Sequence, residues 1–116
     1  MKTHRLVRIA TIAAAVALAA AARAEHWLDT GHTTLIDGDS IHKEADGLVY
    51  FMEKPKYKYD DDDDMAPGKA AVDCVNRIAY SSYLLAYDAD WRTKGTKVIP
   101  GTMGAELLDF VCSRVK

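Results

Sequence analysis

The chain has 116 residues, 49% of them hydrophobic and 28% charged, with a formal net charge of −2. That length bounds the fold to one ordinary domain. Four of the 15 basic residues and none of the 17 acidic ones precede Glu25, so the charge from Glu25 onward is −6. An acidic domain of this kind is a poor ligand for nucleic acid and for anionic lipid.

In chain order the first element is a targeting segment. Lys2, Arg5 and Arg8 precede an apolar run from Ile9 to Ala22, and Ala22-Arg23-Ala24 has the small-x-small form of a cleavage site. The run is about 14 residues, short of the roughly 20 a membrane-spanning helix needs. Residues 1–24 therefore read as a cleaved signal peptide, and 25–116 as one soluble exported domain, periplasmic or secreted, with no membrane anchor. No cysteine follows the cleavage site to carry a lipid.

The exported part opens with short β-prone runs at Thr33 to Ile36, Ser40 to Lys43 and Leu48 to Met52, separated by Asp37-Gly38 and Asp46-Gly47. Asp-Gly pairs close hairpins, which predicts an antiparallel meander. Lys54, Lys56 and Lys58 then alternate with Tyr57 and Tyr59, a pattern suited to an edge strand guarded by lysines against aggregation.

Asp60, Asp61, Asp62, Asp63 and Asp64 follow without interruption. An EF-hand alternates its ligands around a central glycine and ends in glutamate, and this run does neither. Adjacent carboxylates repel by about 1 kcal/mol per pair even in water, which favours a solvated loop. Weak Ca²⁺ binding and a partner-contact patch stay open as alternatives.

After Pro67-Gly68, the segment Ala71 to Tyr87 is rich in Val, Ile, Tyr and Ser and predicts one long bent strand or two short ones. Alternation places Val72, Cys74, Ile78, Tyr80 and Leu84 on one face, and Val75, Ala79, Tyr83, Leu85 and Tyr87 on the other. Both faces are apolar, so each needs a cover. One is a C-terminal helix entered through Pro100-Gly101, N-capped by Thr102, with Glu106 in its first turn and Leu107, Leu108, Val111 and Cys112 along a stripe. The other is the segment around Trp27 folding over the sheet, or a second subunit.

Cys74 and Cys112 are the two cysteines, 38 positions apart. An even count in an exported chain reads as a disulfide, and two cysteines allow one intramolecular pairing. The expected architecture is thus α+β: an antiparallel sheet with a short C-terminal helix packed on it, stapled by one disulfide.

Catalytic and metal chemistry finds little support. His26, His32 and His42 lack the i+2 or i+4 spacing of a ligand pair, and Ser40 beside His42 has no oriented acid or oxyanion turn. No cofactor is implied.

Taken together, the early Trp27, the IDGDSI stretch from Ile36 to Ile41, Asp73-Cys74, Tyr87-Asp88, Pro100-Gly101-Thr102 and Cys112 resemble the surface-adhesin protein E family of small exported bacterial proteins. The resemblance spans nearly all of residues 25–116. It implies an antiparallel sheet carrying a C-terminal helix, the Cys74–Cys112 disulfide, a capacity to dimerise, and adhesion to extracellular-matrix components and plasminogen. Two departures weigh against carrying the adhesin role over: there is no lipid-anchor motif, and the segment between Tyr87 and Pro100 is short. The expected function is a non-enzymatic protein-binding domain with Asp60 to Asp64 as candidate contacts. Lys116 joins them, since a terminal lysine suits lysine-binding modules such as those of plasminogen. The alternative is a structural or stress-related periplasmic protein without host contact.

Overall fold

The computed structural model describes residues 25–57 and 66–115. The signal-peptide expectation and the candidate contacts at Asp60 to Asp64 and Lys116 lie outside the described residues, as do Lys58 and Tyr59.

The chain is α+β. Seven strands form one antiparallel sheet among the described residues: β1 (Trp27–Asp29), β2 (Thr34–Asp37), β3 (His42–Lys43), β4 (Val49–Pro55), β5 (Gly68–Asp73), β6 (Ile78–Tyr80) and β7 (Thr96–Lys97). Their order is β1-β2-β4-β5-β6-β7, with β3 also on β4. Two α-helices accompany the sheet among the described residues: α1 (Ser82–Tyr87) and α2 (Met103–Cys112).

Of the two Asp-Gly pairs, one reverses the chain and one does not. At Asp46-Gly47 the glycine takes φ +84°, and the N–H of Glu44 donates to the Leu48 carbonyl at 3.0 Å, closing the β3–β4 hairpin. At Asp37-Gly38 the Asp37 carboxylate accepts from the Asp39 N–H at 3.1 Å and starts a single 3-10 turn, Gly38–Ser40. The chain then continues in its old direction, and β2 and β3 pair with successive parts of β4. Ser40 bridges the gap: its hydroxyl accepts from the Met52 N–H at 2.8 Å and donates to the Asp37 carbonyl at 2.7 Å. A hydroxyl thus replaces a missing ladder acceptor.

β4 and β5 form the centre, with Val49 opposite Val72, Tyr50 opposite Ala71 and Phe51 opposite Ala70. Alternation sends Val49, Phe51, Ala70 and Val72 to one side, where they meet Ile36 and Ile41 and are covered by Leu108 and Val111 of α2. Tyr50 and Ala71 go to the other side, with Leu48, Tyr80 and Trp91.

Of the expected long strand or two short ones the segment forms two short ones, β5 and β6, but the single alternation carried through Tyr87 is corrected in two places. Residues 74–77 form a turn in which the Asp73 carboxylate accepts from the N–H groups of Val75 and Asn76 at 3.0 and 2.9 Å, and Arg77 adopts φ +60°. That turn resets the alternation. Val72 now faces the same side as its partner Ala79, whereas Tyr80 joins Ala71 on the other. After Tyr80 the chain turns helical, because the Ser81 hydroxyl caps α1 by accepting from the Leu84 N–H at 3.3 Å.

The second face is covered by α1 and by a 3-10 turn, Trp91–Thr93, and not by the Trp27 segment, which sits in β1 at the sheet margin. Leu84 and Leu85 of α1 pack against the Tyr50, Tyr80 and Trp91 cluster. The rings of Tyr80 and Trp91 meet edge-on with centroids 5.3 Å apart.

The C-terminal helix forms as its sequence implies. The Thr102 hydroxyl accepts from the Ala105 N–H at 3.3 Å, Glu106 lies in the first turn, and Ala105, Leu108 and Val111 are buried. The Cys74–Cys112 disulfide joins its last turn to the end of β5, with Cα atoms 6.0 Å apart.

Candidate functional site

An open cleft of about 800 Å³ lies on the α1 side of the sheet. Its floor is the outer surface of β4 and β5 at Tyr50, Met52 and Lys69; α1 supplies Leu85 and Ala86, and the Trp91 turn and the β3–β4 hairpin close its sides. The cleft exists because α1 is only six residues long. So short a helix cannot seal the face by itself, and bulky aromatics fill what it leaves.

Local charge pairing organises the rim. The Tyr50 hydroxyl donates to the Asp46 carboxylate at 2.5 Å, the Leu48 N–H donates to the same group at 3.0 Å, and the Arg92 guanidinium lies 3.6 Å from it. The tyrosine hydroxyl, followed by the backbone amide and Arg92, holds the Asp46 carboxyl below the usual aspartate range. Partial burial and then the Asp46 charge push the Tyr50 phenol up, so it remains a neutral donor.

His42 stacks on Tyr50 with ring centroids 6.0 Å apart. Its Nδ1 is 2.7 Å from the Ser40 carbonyl and its Nε2 is 2.9 Å from a Glu44 carboxylate oxygen. Both partners are acceptors, so the pair of contacts suits the doubly protonated ring. The Ser40 carbonyl first, and Glu44 second, raise the imidazole's pKa.

Two cations lie over aromatic rings in the cleft. The Lys69 ammonium sits 4.7 Å from the Tyr50 ring centre, and the Arg92 guanidinium 4.3 Å from that of Trp91.

The histidines singled out in the sequence are dispersed. His26 uses its backbone N–H to reach the Asp37 carboxylate at 3.2 Å, His32 bonds Glu106 on α2, and His42 lines the hairpin. Among the described residues, no group of three or more His, Cys, Asp or Glu side chains is placed to hold a metal ion. Ser40 and His42 meet through the serine's carbonyl and not its hydroxyl, which the Asp37 carbonyl and the Met52 amide occupy.

The edge-guard role of the lysines is corrected by topology: β4 lies inside the sheet. Lys54 reaches across it to the Trp27 ring, 4.1 Å from the centroid, and Lys56 pairs with Asp29 at 2.6 Å. Lys69, Trp91 and Arg92 were not apparent as site residues in the sequence, since β5, α1 and the Trp91 turn bring them together from distant positions. Adjacency of an arginine to a tryptophan was the one local signal.

Comparison with known protein families, characterised proteins and solved structures finds no match for this chain. No helix among the described residues is long and apolar enough to cross a membrane. A disulfide is compatible with an oxidising, exported setting.

Proposed function

We propose that this chain is an exported, non-enzymatic domain, periplasmic or secreted, that binds a protein partner through the outer face of α1. The observation that carries this reading is a pair of tyrosines one helical turn apart. Tyr83 and Tyr87 are 72% and 78% exposed, and their ring centroids are 4.9 Å apart. Tyrosine offers a large amphipathic contact area at low conformational cost, which is why it is enriched where proteins meet.

A binding role is also favoured over a hydrolytic one by the state of the nearest nucleophile and base. Ser40 and His42 both spend their polar atoms on holding the β2–β4 region together. The resemblance to the surface-adhesin protein E family supplies the first partners to try, plasminogen and extracellular-matrix proteins.

The test uses the oxidised protein over immobilised plasminogen and matrix protein. Saturable binding is expected, and Tyr83→Ser combined with Tyr87→Ser should abolish it without moving the unfolding midpoint. Equal binding by the double variant sinks this role for α1. Complete protection of the protein from protease added to intact cells, with release on osmotic shock, would instead select the periplasmic role without host contact.

A further inference from the structure

The cleft is a second surface, separate from the exposed tyrosines. On α1, Leu85 and Ala86 line the cleft, whereas Tyr83 and Tyr87 are not among its lining residues. Its volume of about 800 Å³ falls in the range of small-molecule sites, roughly 300 to 1,000 Å³.

The charge pattern narrows the ligand. Four charged residues line the cleft: Glu44, Asp46, Lys69 and Arg92. Glu44 is engaged by His42, and Asp46 by Tyr50, the Leu48 amide and Arg92. The acids are therefore already occupied, which disfavours a cationic ligand. Among the described residues no carboxylate lies within 4.0 Å of the Lys69 ammonium, which rests on the Tyr50 ring instead. A contact of that kind on an exposed lysine is worth only about 0.5 to 1 kcal/mol, so exchanging it for an anion is easy. Arg92 is 3.6 Å from Asp46 and carries further N–H donors in its planar fork. Among the described residues one lining cation thus has no carboxylate partner, with a second poised to assist. Met52, Pro67, Leu85 and Ala86 offer apolar surface alongside.

We propose that this cleft binds a small amphipathic monoanion, its acid group held by Lys69 and Arg92 and its apolar body resting on Met52, Leu85 and Ala86. Such a ligand supplies the negative charge that no described residue brings to Lys69, and it covers the face that α1 is too short to seal. A dianion would bring a second charge that meets Asp46 and Glu44 and should bind less well.

2-Naphthoate and its uncharged analogue 2-naphthylmethanol test this by heteronuclear NMR titration of the full oxidised chain. The acid should shift the Trp91 indole and the Leu85 and Lys69 amides saturably. It should bind at least about tenfold more tightly than the alcohol, as expected for one charge-assisted contact. Lys69→Gln, at an exposed strand position, should remove that preference while the amide spectrum keeps its dispersion; the Tyr83→Ser, Tyr87→Ser variant should leave it unchanged. Equal binding of acid and alcohol, unchanged naphthoate affinity in Lys69→Gln, shifts confined to residues outside the cleft, or no shift at millimolar ligand would each overturn the proposal.

Discussion

On one side of β4 and β5, a ten-residue helix lays Ala105, Leu108 and Val111 over the sheet and is tied down along its length: His32 to Glu106, Arg77 to Asp109 at 2.6 Å, and Cys74 to Cys112. On the other side, a six-residue helix and a 3-10 turn cover Tyr50, Ala71 and Tyr80 with Leu84, Leu85 and Trp91 and leave an open cleft between them. The first arrangement commits its apolar and covalent resources to holding the chain together. The second uses wide aromatic rings where a longer helix would otherwise be needed, and so keeps solvent access to cations and apolar walls. In a chain of 116 residues the core is thin. Concentrating the constraints on one face is what allows the other to remain open.

The largest effect should come from releasing the tied face. The exposed Arg77–Asp109 pair contributes about 0 to 1 kcal/mol and the His32–Glu106 hydrogen bond a similar amount, whereas the disulfide closes a loop of 38 residues. In the chain-entropy model a loop of that size is worth about 4 kcal/mol. Cys74→Ser with Cys112→Ser should lower the urea unfolding free energy by about that amount. A loss below about 1 kcal/mol would show that packing by Leu108 and Val111 alone secures α2, and the contrast between the faces would weaken accordingly.

One substitution made on each face should give opposite signs. A Cβ on Gly95 would lie 2.4 Å from Ile78 Cγ2 and 2.5 Å from Tyr80 Cε1. Tyr80 is itself packed edge-on against Trp91, so the ring cannot yield freely. Gly95→Ala should destabilise the protein by about 1 to 3 kcal/mol through overpacking and alter the near-ultraviolet dichroism of the aromatic cluster. A Cβ on Gly104 of α2 would meet only Thr102 Oγ1 at 3.7 Å and Val98 Cγ1 at 3.9 Å, ordinary contacts. Gly104→Ala should stabilise the helix by about 0.4 to 1 kcal/mol. Thermal unfolding of the two variants reads both: an unshifted or raised midpoint in Gly95→Ala would mean that Tyr80 has room to move, and a lowered one in Gly104→Ala would mean that the tied face tolerates no added methyl.

The tied face was far more legible in the sequence than the open one. Its determinants are local or covalent: Thr102 before a helical stripe, and two cysteines. The open face depends on choices that residue type alone leaves balanced. Ser81 to Tyr87 is as β-prone as it is helical, and a single serine hydroxyl bonded to the Leu84 amide settles it as a helix. The turn after Asp73 contains neither glycine nor proline; its signal is an aspartate followed three residues later by Asn76, whose side-chain amide donates to it at 2.8 Å. Missing that turn inverts Ile78, Ala79 and Tyr80 of β6 between the two faces. The cleft itself has no signature along the chain, because Asp46, Lys69 and Arg92 become neighbours only once β5 and α1 are placed.

The smallest effect is a pH dependence that belongs to the open face. His42 has a raised pKa in the folded chain, first through the Ser40 carbonyl and then through Glu44, with nearby Lys69 opposing. Its contribution is therefore fully present below the unfolded value near 6.5 and is lost as pH rises through the higher folded value. Asp46 behaves in the opposite sense: its carboxyl is lowered chiefly by the Tyr50 hydroxyl, so its contribution is present above about 3.8 and is lost as pH falls through the folded value. The urea midpoint should thus decline gently as pH rises above about 6.5, and His42→Gln should flatten that alkaline limb while leaving the acid limb in place. An alkaline limb of equal slope in His42→Gln would assign the titration elsewhere. Because Asp46 lines the cleft and His42 stacks on Tyr50 of its floor, raising the pH through the folded His42 value should loosen the β3–β4 hairpin before it disturbs α2, and amide protection relative to the intrinsic exchange rate should fall at Lys43 and Glu44 while that at Leu108 holds.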